Sequence, residues 1–167
     1  MRLEPFAEAH LSLIAGLLAD PETLRFTRIP EPTPPEFPRE WLERYETGRR
    51  EGTREAFVAL DDTRTFLGLA LVPSIDREAR EAELGYMVVP EARGRGVATE
   101  MLQELTRWAF AQGLERCELF IDARNPASAR VAERCGYVRE GLLRSVHHKG
   151  EERIDATVWS RLPGDPG

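Results

Sequence analysis

A glycine- and arginine-rich loop between an apolar strand and an amphipathic helix constrains this chain more than any other segment. The apolar run at 82–89 (AELGYMVV) predicts a strand that ends at Pro90. A helix is predicted from Val97 to about Gln112, because one apolar stripe repeats there at helical spacing: Met101, Leu102, Leu105, Trp108 and Ala109. The loop at 91–96 therefore leads directly into the N-terminus of a helix.

The segment 93–99 (RGRGVAT) favours binding of a pyrophosphate. Its glycines let a ligand approach the backbone, and the helix start offers unpaired N–H groups at the positive end of the helix dipole. Arg93 and Arg95 add positive charge, and Thr99 adds a hydroxyl group. A glycine-eased turn ahead of an ordinary helix explains the Gly-x-Gly pattern equally well.

The remaining periodicities predict a mixed α/β fold. Further strands are predicted at 2–6, 56–60, 66–72, 117–121, 137–146 and 153–159. One helix follows the first strand, a second begins around Trp41, and a short third runs from the N-cap Asn125 to Cys135. Five prolines at 30–38 exclude helix and inner strand there. Strand–helix–strand crossovers occur only in the second half, so the sheet is expected to be part antiparallel and part parallel.

Length and charge restrict the class of protein. The 167 residues suit one domain, predicted at 1–162, with 163–167 as a flexible tail. A net charge of −6 disfavours nucleic-acid binding, and no apolar run is long enough to span a membrane. The chain opens without a signal segment, and Cys117 and Cys135 allow at most one disulfide, so we expect a cytoplasmic protein.

Two other phosphate-binding motifs are alternatives to this interpretation of the loop. A P-loop is excluded because no Gly-Lys-Ser/Thr follows the glycines. A dinucleotide fingerprint fits better, since Gly94-x-Gly96-x-x-Thr99 opens a helix and Asp122 ends the next strand. However, four residues separate the strand from Gly94, and few residues follow Asp122. An NAD-binding oxidoreductase therefore remains only a remote alternative.

The Arg93-x-x-Gly96-x-Ala98 motif resembles the pyrophosphate-binding motif of the GNAT superfamily of acyl-CoA-dependent N-acyltransferases. Other segments resemble its RimJ/RimL-like branch: Leu3-x-Pro5-Phe6, Trp41-Leu42-Glu43, Glu83-Leu84-Gly85-Tyr86, Asn125-x-x-Ser128, Cys135-Gly136-Tyr137, and Gly150 leading to Asp155. Together they span nearly the whole chain. The resemblance implies a central mixed, mostly antiparallel sheet with a splayed parallel strand pair, flanked by helices.

The resemblance also implies where acyl-CoA lies. It would enter between the splayed strands, with its acyl-pantetheine end on backbone groups of Met87 and Val89. A bulge in that strand would direct the N–H of Met87 or Val88 to the thioester oxygen. Asn125 would hydrogen-bond the pantetheine besides capping its helix. The implied cofactor-binding residues are Met87, Val88, Val89, Arg93, Gly94, Arg95, Gly96, Val97, Ala98, Thr99, Asn125, Ser128 and Arg130, the last near the adenosine phosphate or simply on a solvated helix face.

Amide formation requires a neutral amine and a proton supply for the leaving thiolate. Glu83 is the candidate proton acceptor, although an alternation with Glu81 explains it as well. Ser128 is the first candidate for the thiolate and Tyr137 the second. Their ordinary alternatives are a first-turn serine and a core tyrosine. Neither cysteine suits an acyl-enzyme, which favours direct attack in a ternary complex.

The function expected from this resemblance is acetyl transfer from acetyl-CoA to a primary amine, on a protein N-terminus such as a ribosomal protein's or on a small cationic amine. Acidic residues around the proline-rich segment favour a cationic acceptor: Glu31, Glu36, Glu40 and Glu43. A GNAT-fold module that binds acyl-CoA without catalysis is the alternative. No metal, nucleic acid or membrane is expected, His147-His148 are predicted to be exposed turn residues, and a homodimer is left open.

Overall fold

The computed structural model describes residues 1–166, in which seven strands form one sheet. The strands are β1 (Arg2–Pro5), β2 (Glu55–Leu60), β3 (Phe66–Asp76), β4 (Glu81–Val88), β5 (Arg116–Asp122), β6 (Val138–Lys149) and β7 (Glu152–Arg161). Their order in the sheet is β1-β2-β3-β4-β5-β7-β6. Only β4 and β5 run parallel among these residues. The predicted mixed, mostly antiparallel sheet is confirmed.

Helices pack on both faces of the sheet. They are α1 (Leu11–Ala19), α2 (Pro21–Phe26), α3 (Phe37–Glu51), α4 (Val97–Ala111) and α5 (Pro126–Arg134). The first three bury apolar side chains against Leu69 and Met87, whereas α4 and α5 pack against Leu84 and Val88 from the opposite face. The alternation of side chains along β4 thus divides the core into two layers. No helix in residues 1–166 has the length and apolar character needed to cross a membrane.

Two helical features differ from the sequence predictions. Helix α2 was not predicted, although Asp20 accepts a hydrogen bond from the Thr23 N–H (2.7 Å) and Pro21 occupies the first turn. Helix α3 begins at Phe37, inside the proline-rich segment. Excluding helix throughout 30–38 was therefore wrong, because a first turn tolerates proline at a position whose N–H has no intrahelical acceptor.

The parallel strands β4 and β5 separate soon after they begin. They pair only at Glu81–Arg116, Ala82–Cys117 and Glu83–Glu118. Beyond these three pairs the two strands continue but no longer pair with each other, which opens a gap in the sheet. The splayed parallel pair implied by the resemblance is confirmed.

The bulge beside this gap lies on β3 rather than on β4. The register runs from Leu71–Gly85 to Ser74–Glu83, so β3 uses one residue more than β4 over the same length. Pro73 lies in that interval and has no N–H to donate to a neighbouring strand. The prediction of a bulge in β4 was wrong because Pro73 places the irregularity in its partner.

Two boundaries in the second half of the chain, the start of α5 and the turn between β6 and β7, lie where the sequence predicts them. Asn125 caps α5 by accepting from the Ser128 N–H (3.1 Å), and Pro126 follows it, as predicted. A turn at Gly150 (φ +57°) joins β6 to β7 in the predicted hairpin. The boundary of the domain at 162 and the flexible tail stay predictions, and Gly167 lies outside the described residues.

Candidate active site

A cleft of about 570 Å³ opens where β4 and β5 separate. Its wall on one face of the sheet comes from the end of α2 and from α3, including Trp41 and Tyr45. On the other face lie Asn125 and Ser128 at the start of α5. The cleft therefore reaches both helical layers, and the exposed edge of β4 runs through it.

The pairing of β3 with β4 decides which backbone groups face the cleft. The Val89 N–H donates to the Leu67 carbonyl (3.0 Å). A Cβ at Gly68 would lie 2.0 Å from the Met87 carbonyl oxygen, so that carbonyl also faces β3. Backbone groups of successive strand residues point to opposite sides, which turns those of Val88 toward the gap. Of the backbone groups assigned to acyl-CoA, those of Met87 and Val89 thus point away from the gap, and Val88 offers its N–H there.

The start of α4 presents a cluster of unpaired N–H groups. Gly94 and Gly96 have φ values of +71° and +83°, which wrap the backbone around the helix start. The first intrahelical bond runs from the Glu100 N–H to the Gly96 carbonyl (3.0 Å), so the N–H groups of 97–99 have no acceptor within the helix. No side chain caps this end. A phosphate would supply acceptors for these N–H groups at the positive end of the dipole.

Arg93 does not direct its charge into this N-terminal site. Its guanidinium pairs with Asp20, donates to Thr23 Oγ1 (3.1 Å) and lies 3.1 Å from the Glu22 carboxylate. Its Nε donates to the Val88 carbonyl (3.1 Å). The expectation that the Arg93 side chain adds charge for the phosphate was wrong, because nearby acceptors at the start of α2 engage it. Arg95 remains exposed on the loop.

We expect Asp20→Asn to destabilise the fold by about 1–3 kcal/mol, because it removes the partly buried carboxylate that binds the Arg93 guanidinium and leaves only the exposed Glu22. Asparagine can still cap α2. Hydrogen bonds from Arg93 and Thr23 lower the pKa of Asp20 below its usual 3.8. The contribution is therefore present above about pH 3.8 and is lost as the pH falls through the lowered value. Urea unfolding of both proteins between pH 3 and pH 7 measures the difference, which should shrink at the acid end.

Glu22→Gln is the matched control, because Glu22 is an exposed partner of the same guanidinium. Its effect on unfolding should stay within about 0.5 kcal/mol. Equal destabilisation by both substitutions would show that the Arg93–Asp20 contact has no special weight.

The predicted proton acceptor Glu83 lies in the cleft with its side chain 18% exposed. Its carboxylate accepts a hydrogen bond from Arg28, which is mostly exposed. Asn125 uses its side-chain oxygen for the cap, which leaves its amide N–H groups for a ligand. Arg130 is exposed on α5 and makes no ion pair within residues 1–166.

Tyr86 is a residue that sequence reasoning missed. Its hydroxyl is buried in the cleft beside Ser128 and has no hydrogen-bond partner among the described residues. Burial raises the pKa of Tyr86 to about 12, and the neighbouring Ser128 hydroxyl opposes that rise. Two proton-bearing hydroxyls therefore meet at the α5 side of the cleft. The Glu-Leu-Gly-Tyr motif contained Tyr86, but only the packing against α5 shows this neighbour.

Tyr137 does not reach the cleft. It is 4% exposed in the core beneath α4, and its hydroxyl shares a hydrogen bond with Thr106 Oγ1 (2.7 Å). Burial raises its pKa far above the usual range. The assignment of Tyr137 as a second candidate for the thiolate was wrong, because the strand after α5 turns this ring inward.

His147 was predicted as an exposed turn residue and instead lines the cleft. Its ring packs edge-on against Phe120, with centroids 6.0 Å apart. Burial, with the nearby Arg28 charge, lowers the pKa of His147 below 6.5, which keeps its imidazole neutral at pH 7. Within residues 1–166 no group of three or more His, Cys, Asp or Glu side chains could hold a metal ion.

The comparisons with known proteins agree with this geometry. The family described as acetyltransferase (GNAT) domain matches residues 1–138. The chain belongs to the GNAT acetyltransferase family. Among curated GNAT relatives, the putative ribosomal N-acetyltransferase YdaF of Bacillus subtilis is 32% identical over 96 residues, covering 57% of this chain and 52% of YdaF. Several alignments of this kind span only 52–59% of the relative's length.

Two solved GNAT structures match almost the whole chain. Spermidine N-acetyltransferase from Vibrio cholerae, in complex with CoA and spermine, has a TM-score of 0.86 at 22% identity and covers 98% of this chain and 96% of its own. RimL, a ribosomal L7/L12 alpha-N-protein acetyltransferase in complex with CoA, has a TM-score of 0.86 at 19% identity, with 96% and 92% covered. The GNAT family predicted from the sequence is confirmed, together with the GNAT fold.

Proposed function

We propose that this GNAT protein transfers the acetyl group of acetyl-CoA to a primary amine by direct attack in a ternary complex. The observation that carries the proposal is the set of unpaired N–H donors along one route. The route begins at the start of α4 and continues to Val88 at the gap between β4 and β5. This arrangement suits a ligand with a diphosphate at one end and a thioester at the other.

The α4 N–H groups would hold the diphosphate, with Arg95 adding charge from the exposed loop. The amide of Asn125 would bind the pantetheine arm. The buried Tyr86 hydroxyl, which has no partner within residues 1–166, fits the same arm or its sulfur. These residues supply polar partners along the gap without disturbing the sheet, so the chain fits acetyl-CoA as it stands.

The chemistry uses groups on both faces of the gap. The Val88 N–H would stabilise the thioester oxygen as negative charge develops on it. Glu83 would accept the proton of the attacking amine, directly or through water. On the α5 side, Ser128 beside Tyr86 would donate a hydrogen bond or a proton to the leaving thiolate.

The relatives support an amine acceptor without choosing one. One solved neighbour is a spermidine N-acetyltransferase and another is a ribosomal alpha-N-protein acetyltransferase. Both names describe acetylation of amino groups. A protein N-terminus and a small molecule therefore remain the two kinds of acceptor to test.

The test is release of free thiol from acetyl-CoA in the presence of an amine panel. The panel contains amino acids, spermidine and short peptides with free N-termini. We expect amine-dependent thiol release above a control without amine, with the acetylated product identified by mass spectrometry. Binding of acetyl-CoA without turnover of any amine would instead support a non-catalytic acyl-CoA-binding module. Stabilisation by NAD but not by acetyl-CoA would contradict the proposal outright.

A further inference from the structure

Four arginines line the face of the cleft that α2 and α3 form, and we call them the arginine wall. We call this face the acceptor side, because the candidate proton acceptor Glu83 also lies there. They are Arg25 and Arg28 at the end of α2, Arg44 on α3, and Arg54 just before β2. Arg28 pairs with Glu83. The other three make no ion pair within residues 1–166, even though Arg54 is half-buried. Arg25 and Arg44 are exposed and hydrated, so the half-buried Arg54 gains most from an anionic group supplied by a ligand in the cleft.

Three of these charges converge on one buried hydroxyl. Burial raises the pKa of Tyr45 to about 12, and the positive charges of Arg54, Arg28 and Arg44 all oppose that rise. Glu83 acts on the same hydroxyl in the opposite sense. The wall and the candidate proton acceptor therefore lie around one point of the cleft, beside Tyr45.

The carboxylates of the cleft offset only part of this charge. The cleft lining contains Glu83 and Asp122, and each already pairs with an arginine, Arg28 and Arg124 respectively. The cleft on its acceptor side is therefore positive.

The acidic residues expected to attract a cationic acceptor lie elsewhere. Glu31 pairs with Lys149 (3.2 Å) and Glu36 is exposed before α3. Glu40 and Glu43 line a second groove, which also contains Glu51 and shares Arg44 and Arg54 with the cleft. No carboxylate of this groove lies within 4.0 Å of either arginine, so none of them forms an ion pair with the wall. None of the four lines the cleft. The expectation of a cationic acceptor therefore finds no support in the acceptor side of the cleft.

We propose that the acceptor is a small amine that also carries a carboxylate, as an α-amino acid does, and that the arginine wall binds this carboxylate. The inference rests on the proposed acetyl transfer and narrows its substrate class. A guanidinium fork matches a carboxylate with two parallel hydrogen bonds. The same positive charges disfavour the ammonium form of a bound amine, so they favour the neutral nucleophile. A polyamine has no anion to offer and meets the like charges of the three arginines that have no carboxylate partner.

The experiment compares acceptors that carry this carboxylate with their carboxamides. Rates are expressed per neutral amine, because the carboxamide also lowers the pKa of the neighbouring amino group. L-methionine and L-glutamate are each assayed beside their α-carboxamides, with spermidine and a dipeptide as further acceptors. We expect kcat/KM to be about tenfold or more higher for each free acid than for its carboxamide, as a charged hydrogen bond provides. Equal or higher kcat/KM for the carboxamides or for spermidine would overturn the inference while leaving acetyl transfer intact. Preference for the dipeptide would assign the site to peptides instead.

Variants locate the effect on the wall. Arg54→Gln and Arg44→Gln should each raise KM for the amino acid by about tenfold and leave KM for acetyl-CoA unchanged. Arg50→Gln is the control on α3, because Arg50 is exposed and bonds Thr47 outside the cleft. If KM for the amino acid changed equally in all three variants, the arginine wall would not be the binding site of the carboxylate.

A binding measurement separates this inference from the proposed function. Calorimetric titration of the CoA-saturated protein compares N-acetylmethionine with N-acetylmethioninamide. If no amine is acetylated, the proposed function fails, and the preference between these two compounds still tests the wall. Equal binding of the two compounds would refute the carboxylate site.

Discussion

Gly96→Asp is expected to abolish the thermal stabilisation that acetyl-CoA gives the protein. A side chain at this position enters open space in front of α4, where a Cβ would meet no atom within 4 Å. There a carboxylate would occupy the unpaired N–H groups and repel a diphosphate. For the unaltered protein, ligand at ~100 times Kd adds about 2.7 kcal/mol, and roughly 2–4 °C per kcal/mol gives a shift of about 5–10 °C. Differential scanning fluorimetry with and without acetyl-CoA measures both proteins.

Gly96→Asn is the matched control, since asparagine has the same shape without the charge. Both residues tolerate the positive φ of +83° better than other side chains do. The two variants should therefore unfold at similar temperatures without ligand, and the asparagine variant should keep more of the acetyl-CoA shift. A full shift in Gly96→Asp would mean that the diphosphate does not bind at the start of α4.

Glu83→Gln should lower kcat by about 100-fold, the lower range for loss of a general base. Glutamine keeps the shape and the contact with Arg28 but cannot accept the proton of the attacking amine. The acetyl-CoA shift should be unchanged, because Glu83 lies on the acceptor side of the gap. Steady-state thiol release at saturating acetyl-CoA gives kcat and KM separately.

Glu81→Gln provides the control for this experiment. Glu81 lies two residues earlier on the same face of β4 and outside the cleft. Its substitution should leave kcat within about twofold. If Glu83→Gln kept full activity and His147→Gln lost it, the neutral imidazole would be the proton acceptor. That result would also predict that activity falls only as the pH drops through the pKa of His147, which burial lowers below its usual 6.5.

The sequence predicted those parts of the site that depend on neighbouring residues. The loop before α4 and the Asn125–Pro126 start of α5 each follow from local backbone chemistry, and both were predicted correctly. The pairing of β4 was harder to predict. Which of its N–H groups faces the gap depends on the register with β3, and Pro73 on that partner strand sets the irregularity.

Most features of the site that the sequence did not predict depend on contacts between segments that are distant in the chain. Arg93 looked like a phosphate ligand because no local signal shows Asp20, which is 73 residues away in the chain. Composition suggested a cationic acceptor, since charge counts cannot show which side chains share a wall. The arginine wall draws on three segments, and only the packing of α2 and α3 over the sheet brings them together.

The contacts of Arg93 restrict how this protein can evolve. Its guanidinium binds both Asp20 and the Val88 carbonyl. Arg93 precedes the glycines of the loop and binds Asp20, which caps helix α2. Arg25 lies in the last turn of α2, and Arg28 follows that helix. Single substitutions in the arginine wall can change the acceptor preference, and each of them leaves the acetyl-CoA site at the start of α4 unchanged. Asp20 and Arg93 have less freedom to change, because loss of either removes the main charged partner of the other. Lineages that diverge in substrate should therefore vary at the wall and change this pair only together.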